Sequence, residues 1–281
     1  MVKYPKIGVF KGRDSTNAKT IGLKEAFDIH YGDIVSLVGA GGKTTLMSAL
    51  AKELVDTGES VVTTTTTKIF DWQASGACLI LETDEKKIPH LLIKALKKHR
   101  HVTLAKERLP AEGKLKGISP ELVVQLAEME QIAYIIIEAD GAARKPLKAP
   151  NATEPVIPQS TSLVIPVIGI DALDSRLTEE NVFRPEIVSR LTGLPLGGVI
   201  SAEAIATLIT HNEGIIKGSP NHARIIPLIN KIDLAQGLAK AENLASKILG
   251  KRHPQIERVI LGQVQFPEPV VEVIQAGETS I

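Results

Sequence analysis

Residues 33–45, Asp-Ile-Val-Ser-Leu-Val-Gly-Ala-Gly-Gly-Lys-Thr-Thr, constrain the fold more than any other stretch. An apolar run breaks into three glycines and is followed at once by a lysine and two hydroxyl residues. Gly39, Gly41 and Gly42, with Ala40 between them, permit a tight turn that offers backbone N–H groups to an anion. Lys43, Thr44 and Thr45 then open a helix whose positive end adds to the attraction. In a loop of this kind the lysine reaches the outer phosphates of a nucleotide and the Thr44 hydroxyl ligates Mg²⁺. The longer G-x-x-x-x-G-K-[ST] pattern has a glycine seven residues before its last hydroxyl, where this chain has Leu37; what stands here is a shorter G-x-G-G-K-T-T. Leu46, Ala49, Leu50 and Leu54 recur on one face of the helix behind it. Strand, phosphate loop and helix in this order predict an α/β fold: a three-layer, P-loop NTPase-like arrangement with a mostly parallel central sheet flanked by helices.

Two further stretches carry chemistry. Ala133–Ile137 is an apolar, β-branched run that ends in Glu138-Ala-Asp140, and a carboxylate at such a strand end positions Mg²⁺ or its water shell. Glu138 and Asp140 compete for that role; exposure at a strand end is the plain alternative. Arg144, Lys145 and Lys148 follow on a proline-stiffened loop, where one of them can neutralise transition-state charge or hold a second anion. The dense threonine run Val61–Lys68 reads as a strand ending near the outer phosphate, giving Thr67 and Lys68 a possible role there. Ile225–Asp233 ends in Asn230-Lys-Ile-Asp233, which resembles the guanine-recognition motif of GTPases: the aspartate accepts two hydrogen bonds that adenine cannot donate. There Lys231 covers the base and Asn230 braces the loop. The alternative is an ordinary turn in which Asp233 caps a helix from Ala235 to Leu249.

Net charge is +1, which offers no field for nucleic acid or membrane. Aromatics are 3%, so aliphatic side chains must fill the core. A single cysteine excludes an internal disulfide, and Cys78 reads as a small buried hydrophobe. No eighteen-residue apolar run or signal segment occurs, so a cytoplasmic protein is expected. Residues 1–281 read as a single P-loop NTPase-like domain, with 1–32 as a cap on the sheet. Helices are predicted at Leu23–Phe27, Ile88–Lys97, from Ser119-Pro120 to about Met129, over Thr178–Thr192 with an interruption at Arg184-Pro-Glu186, and over Ser201–His211. Lys106–Gly117, with Lys114 and Lys116, reads as a polar lid or docking loop, Cys78–Leu81, Val102–Ala105, Ser162–Ile170 and Ile256–Leu261 as strands.

As a set, Val38-Gly-Ala-Gly-Gly-Lys-Thr-Thr-Leu46, Thr67-Lys68, Ile137-Glu-Ala-Asp-Gly141, Lys145-Pro-Leu-Lys-Ala-Pro150, Glu154-Pro-Val-Ile-Pro158, Arg184-Pro-Glu186 and Asn230-Lys-Ile-Asp233 span most of the chain. The chain resembles the YqeC-like family of selenium-dependent hydroxylase accessory proteins. The resemblance implies a nucleotide-binding protein tied to maturation of selenium-dependent molybdenum hydroxylases, with that enzyme or its maturation machinery as client. The arrangement is also similar to signal-recognition and metal-insertion GTPases. A Mg²⁺-dependent NTPase using GTP is the first expectation, with Lys43, Glu138, Asp140, Lys68 and Arg144 as catalytic groups. An ATP-dependent ligase or small-molecule kinase is the alternative, since the loop also resembles that of Mur-type ligases, and a non-hydrolysing nucleotide-binding scaffold is the third. A homodimer is expected only because symmetric dimers are the commonest assembly.

Overall fold

The computed structural model describes residues 8–11, 21–70 and 77–277. Their main feature is an eleven-stranded sheet. From one edge to the other its strands are Gly8–Lys11, Val270–Gln275, Arg258–Gly262, Leu228–Asn230, Leu163–Gly169, Ile34–Gly39, Tyr134–Glu138, Val61–Thr65, His101–Ala105 and Cys78–Leu81, with Arg224–Ile225 pairing beside Leu163–Gly169. All neighbours are parallel except the first two strands, which run antiparallel to the strand beside them. The phosphate-loop strand Ile34–Gly39 sits in the interior, as the expected α/β layering requires.

Alternation along the strands builds two cores. Val35 and Leu37, with Tyr134, Ile136 and Val167, pack under the helices Leu23–Ala26 and Lys43–Asp56. Ile34 and Val38, with Ile135, Ile137 and Ile168, pack under Ile88–Leu96, Pro120–Ala127, Pro185–Thr192, Ala202–Thr210 and Gly237–Gly250 on the opposite face. The phosphate-loop helix buries Leu46, Met47, Leu50, Ala51 and Leu54. Two caps are as expected: Ser119 Oγ accepts from Leu122 N–H at 3.2 Å, and Ser201 Oγ accepts from Ala204 N–H at 3.2 Å. His211 ends the second of these helices.

Several local expectations are corrected. The threonine run does not reach Lys68: its strand stops at Thr65, and Lys68–Phe70 starts a separate sheet with Glu107–Leu109 and Lys114–Lys116. The residues read as a polar lid are therefore paired strands, because Ile69 and Arg108 each find Leu115 as an antiparallel neighbour. Helix forms only over Pro185–Thr192; before it, Val182–Phe183 pairs in parallel with Leu147–Lys148. The helix after Asn230 begins at Gly237, so Asp233 does not cap it. Val270–Gln275, which carries no role in the sequence reading, fills the sheet between Arg258–Gly262 and Gly8–Lys11. Of the proposed 1–32 cap, Gly8–Lys11 is that edge strand and Leu23–Ala26 packs on the phosphate-loop helix, while residues 1–7 and 12–20 lie outside the described residues. Cys78 is half-buried rather than enclosed.

Candidate functional site

The carboxyl ends of the central strands open into a cavity of about 630 Å³. The phosphate loop forms one side of it, through Gly41, Gly42, Lys43, Thr44 and Thr45. Gly39, Gly41 and Gly42 take φ of 87°, 88° and 130°, which L side chains rarely adopt. Close approach adds a second reason at Gly41, where a Cβ would stand 2.1 Å from Gly169 N. The absent glycine at position 37 has a structural counterpart. Leu37 is still strand, fully buried, and its carbonyl accepts from Ala139 N–H at 2.9 Å, so the turn starts only at Gly39. The first amides of the turn are committed to the protein: Gly39 N–H donates to Asp140 Oδ2 (3.2 Å), Ala40 N–H to the Val167 carbonyl (2.8 Å) and Gly41 N–H to the Lys145 carbonyl (3.1 Å). Anion binding by backbone thus falls to Gly42 and the first turn of the helix, whose amides lack carbonyl partners within the helix.

Lys43 is buried, and its Nζ donates to the Gly39 carbonyl at 2.6 Å. The same Nζ is 3.1 Å from Asp140 Oδ1 and 3.6 Å from Glu138 Oε1. Both carboxylates therefore converge on one ammonium, although the strand ends at Glu138 and does not continue to Asp140. Burial opposes charge on Lys43, but Asp140 and Glu138 outweigh it and hold its pKa above the ordinary lysine value. Burial pushes Glu138 up, against the pull of Lys43 and of the Thr44 hydroxyl that donates to its Oε2 at 3.0 Å. Asp140 Oδ1 is buried and meets Lys43 without the alignment of a hydrogen bond.

Asn230 braces the loop as expected: its Nδ2 donates to the Gly41 carbonyl at 2.8 Å and its Oδ1 accepts from Val264 N–H at 3.1 Å. Lys231, at φ 67°, lines the cavity and pairs with Asp171 at 2.7 Å. Asp233 is exposed and does not line the cavity. Thr67 and Lys68 do line it, Lys68 as the first residue of the small sheet and Thr67 just before it, with Lys68 Nζ 2.8 Å from Glu112. Arg144 and Lys145 line it from the loop after Asp140. Lys148 does not: it is fully buried behind the wall, 2.9 Å from both Asp140 Oδ2 and Glu154 Oε2.

Sequence reasoning assigned no role to Glu154, Phe183 or Arg184, all of which line the cavity. Glu154 accepts from Arg184 Nη1 at 2.7 Å, and the Arg184 guanidinium lies 4.3 Å from the centre of the Phe183 ring. An alternating row of charge results, Lys43–Asp140–Lys148–Glu154–Arg184. Its members come from a helix start at Lys43, the stretch 140–154 and the residue before the helix Pro185–Thr192, and the only hint in sequence is that Glu154 and Arg184 fall in the motifs carrying the family resemblance. Burial works against the charge of Glu154, but Lys148 and Arg184 outweigh it and keep its carboxyl below the ordinary glutamate value of 4.5. A depressed folded pKa contributes stability above the unfolded pKa, which is lost as pH falls through the folded value. Glu154→Gln is therefore expected to lower the melting temperature relative to the parent at pH 7–8. That gap should narrow below pH 4.5 and close in more acidic buffer, as followed by melting curves across pH.

A central parallel sheet with this loop between strand and helix defines a P-loop nucleotide-binding fold. The family described as YqeC protein matches residues 35–186, more than half of the chain. "Uncharacterized protein YqeC" of Escherichia coli (strain K12) is 32% identical over 233 residues, covering 83% of this chain and 88% of that protein. The chain belongs to the YqeC family. Among solved structures, FtsY from Mycoplasma mycoides aligns at a TM-score of 0.40 and 12% identity, over 87% of this chain; the chain spans 64% of that structure's length. Among the described residues no helix is long and apolar enough to cross a membrane.

Proposed function

We propose that this protein binds and hydrolyses a nucleoside triphosphate with Mg²⁺, with GTP preferred, and that it serves as an accessory factor in maturing selenium-dependent molybdenum hydroxylases. The observation that carries the nucleotide reading is the convergence of Lys43, Thr44, Glu138 and Asp140 at the end of the phosphate loop. The donor set suits Mg²⁺: a hydroxyl, two carboxylates, and in Asp140 Oδ1 a buried oxygen without an aligned donor. Thr44 with Glu138 or Asp140 would hold the cation. Held there, the cation would supply positive charge to the phosphate oxygens. Gly42 and the first helical turn would grip the β-phosphate region. Lys43 is to leave the Gly39 carbonyl for phosphate oxygens, and Lys68 and Arg144 stand where they can meet the terminal phosphate.

Preference for GTP rests on the Asn230-Lys-Ile-Asp233 motif, with Asn230 bracing the phosphate loop and Lys231 at the cavity. The exposure of Asp233, away from the cavity lining, favours the second reading, an ATP-using ligase or kinase. The role in hydroxylase maturation follows from the family resemblance alone.

Equilibrium binding of fluorescent GTP and ATP analogues, with and without Mg²⁺, separates these readings. Lys43→Ala should weaken either nucleotide by about 10–100-fold, the size of a lost charge-assisted contact. Asp233→Ala should erase a GTP preference and leave ATP binding unchanged. If ATP binds better in the parent, or Asp233→Ala has no effect, the ligase or kinase reading replaces the GTPase one. No binding of either nucleotide in the presence of Mg²⁺ would sink both.

A further inference from the structure

The cavity carries more positive charge than its phosphate loop accounts for. Seven lysines and arginines line it against two glutamates, Glu138 and Glu154. Lys43 opens the phosphate-loop helix, Lys231 follows the Leu228–Asn230 strand and pairs with Asp171, and Lys68 and Lys114 come from the small sheet and pair with Glu112. Arg144, Lys145 and Arg184 come from a different part of the chain, and they stand with Phe183 on the wall next to the loop: the Lys145 carbonyl accepts from Gly41 N–H.

That wall is held in an unfavourable backbone shape. Ala143 and Arg144 take φ of 48° and 60°, and Arg184 takes φ 66° and ψ 60°. None of them is glycine, and the left-handed region is disfavoured for residues with a Cβ, so the surrounding structure must hold them there. Arg184 is fixed further by what it touches. Its guanidinium carbon stands over the Phe183 ring, 4.3 Å from the centre, and both of its hydrogen bonds, to Glu154 Oε2 and the Ala149 carbonyl, leave from Nη1. Among the described residues nothing accepts from its Nη2 or Nε. A guanidinium tethered through one nitrogen, held over a ring and lining a cavity keeps its other donors for a planar or tetrahedral oxyanion. Lys148 differs: it is wholly enclosed, and Gly141, Asp140 and Glu154 take its contacts.

We infer that the half of the cavity bounded by Phe183, Arg144, Lys145 and Arg184 binds a small second substrate through a carboxylate or phosphate group, beside a nucleotide held in the phosphate loop. This deepens the proposed function and rests on it for the occupant of the loop. The second substrate is a small anion whose charged group sits on Arg184 and Lys145.

Equilibrium dialysis of labelled inorganic phosphate, and separately of malonate, against protein saturated with Mg²⁺ and a β,γ-imido analogue of GTP tests this. About one phosphate or malonate per chain should be retained, and Arg184→Ala and Lys145→Ala should each weaken it by about tenfold, the loss of one charge-assisted contact. Analogue affinity should stay within about twofold. Lys145 makes one surface bond, to the Glu180 carbonyl, so its variant tests the site without loosening the buried row. Retention of phosphate over malonate identifies a phosphate ligand, the reverse a carboxylate. Retention that disappears when the analogue fills the loop, or that neither substitution weakens, overturns the inference. If the analogue fails to bind, the nucleotide reading falls by itself. Lys43→Ala, which removes the loop's own anion grip, must then still retain phosphate in an Arg184-dependent way, and failure to do so overturns the second site.

Discussion

Lys148→Met is expected to destabilise the protein by about 3–5 kcal/mol, the cost of removing one partner from a buried ion pair. Lys148 has no exposed surface and stands 2.9 Å from a carboxylate oxygen of Asp140 and of Glu154, while its ammonium also donates to the Gly141 carbonyl at 2.7 Å. Without it Asp140 keeps Lys43 and the Gly39 amide, and Glu154 keeps Arg184. Each carboxylate is then short of one cation in a place water reaches poorly. Urea unfolding followed by circular dichroism should give a lower midpoint with an unchanged slope. The double variant Lys148→Met with Glu154→Gln should recover part of the loss, because it removes a charge that the single change leaves unpaired. A loss below about 1 kcal/mol would show that the row is worth no more than surface pairs and that the carboxylates find other partners.

Gly41→Ala is the second large effect, and it acts on stability and binding together. A residue with a Cβ at φ 88° costs about 1–2 kcal/mol from backbone sterics. The new methyl would sit 2.1 Å from Gly169 N and 2.6 Å from its Cα, both backbone, so the loop and the Leu163–Gly169 strand must separate; overpacking of that kind costs about 1–3 kcal/mol more. Separation breaks the two bonds that fix the turn here, Gly41 N–H to the Lys145 carbonyl and Asn230 Nδ2 to the Gly41 carbonyl. Nucleotide affinity should fall by at least about tenfold, through misplacement of the Gly42 amide and of Lys43. Gly58→Ala is the matched control: it also has positive φ but meets no atom within 4 Å, so it should lower stability by only the backbone share and leave nucleotide binding intact. Equal losses of affinity in the two variants would mean that the contact with Gly169 is not what shapes the loop.

The layers of the fold were legible because the strands here are buried on both faces and the helices carry simple apolar stripes. Ile34–Gly39, Tyr134–Glu138 and Leu163–Gly169 could be read from runs of aliphatic residues, and Ser119 and Ser201 from capping chemistry. Pairing between distant short segments could not be read. Lys68–Phe70 and Lys114–Lys116 are three residues each and lack a periodic signature, so the segment around Lys114 reads as a loop in the absence of its partner strand. Val182–Phe183 falls inside the expected helix for the same reason: its two residues are extended beside Leu147–Lys148, a pairing no local pattern announces. Within the site, residues whose chemistry depends on a local motif were found: Lys43, Thr44, Glu138, Asp140 and Asn230 gather at the loop. Arg184 and Glu154 were not, since an arginine before a proline and a glutamate before a proline have no distinguishing spacing. Their meaning comes from the pairing of Glu154 with Lys148 and of Arg184 with Glu154, which no one-dimensional pattern encodes.

The small sheet of Lys68–Phe70, Glu107–Leu109 and Lys114–Lys116 gives the molecule a handle. It joins the end of the Val61–Thr65 strand through Gly117 N–H to the Thr67 carbonyl at 2.7 Å and Ile118 N–H to the Thr65 carbonyl at 3.0 Å, while Leu115 packs on Ala105 and Leu79 of the main sheet. The Thr65 hydroxyl at that same joint donates to the Glu138 carbonyl at 2.7 Å, one residue's width from the carboxylate that accepts from Thr44. Another macromolecule that grasped this outer sheet would therefore be pulling on a thread that ends at the phosphate loop.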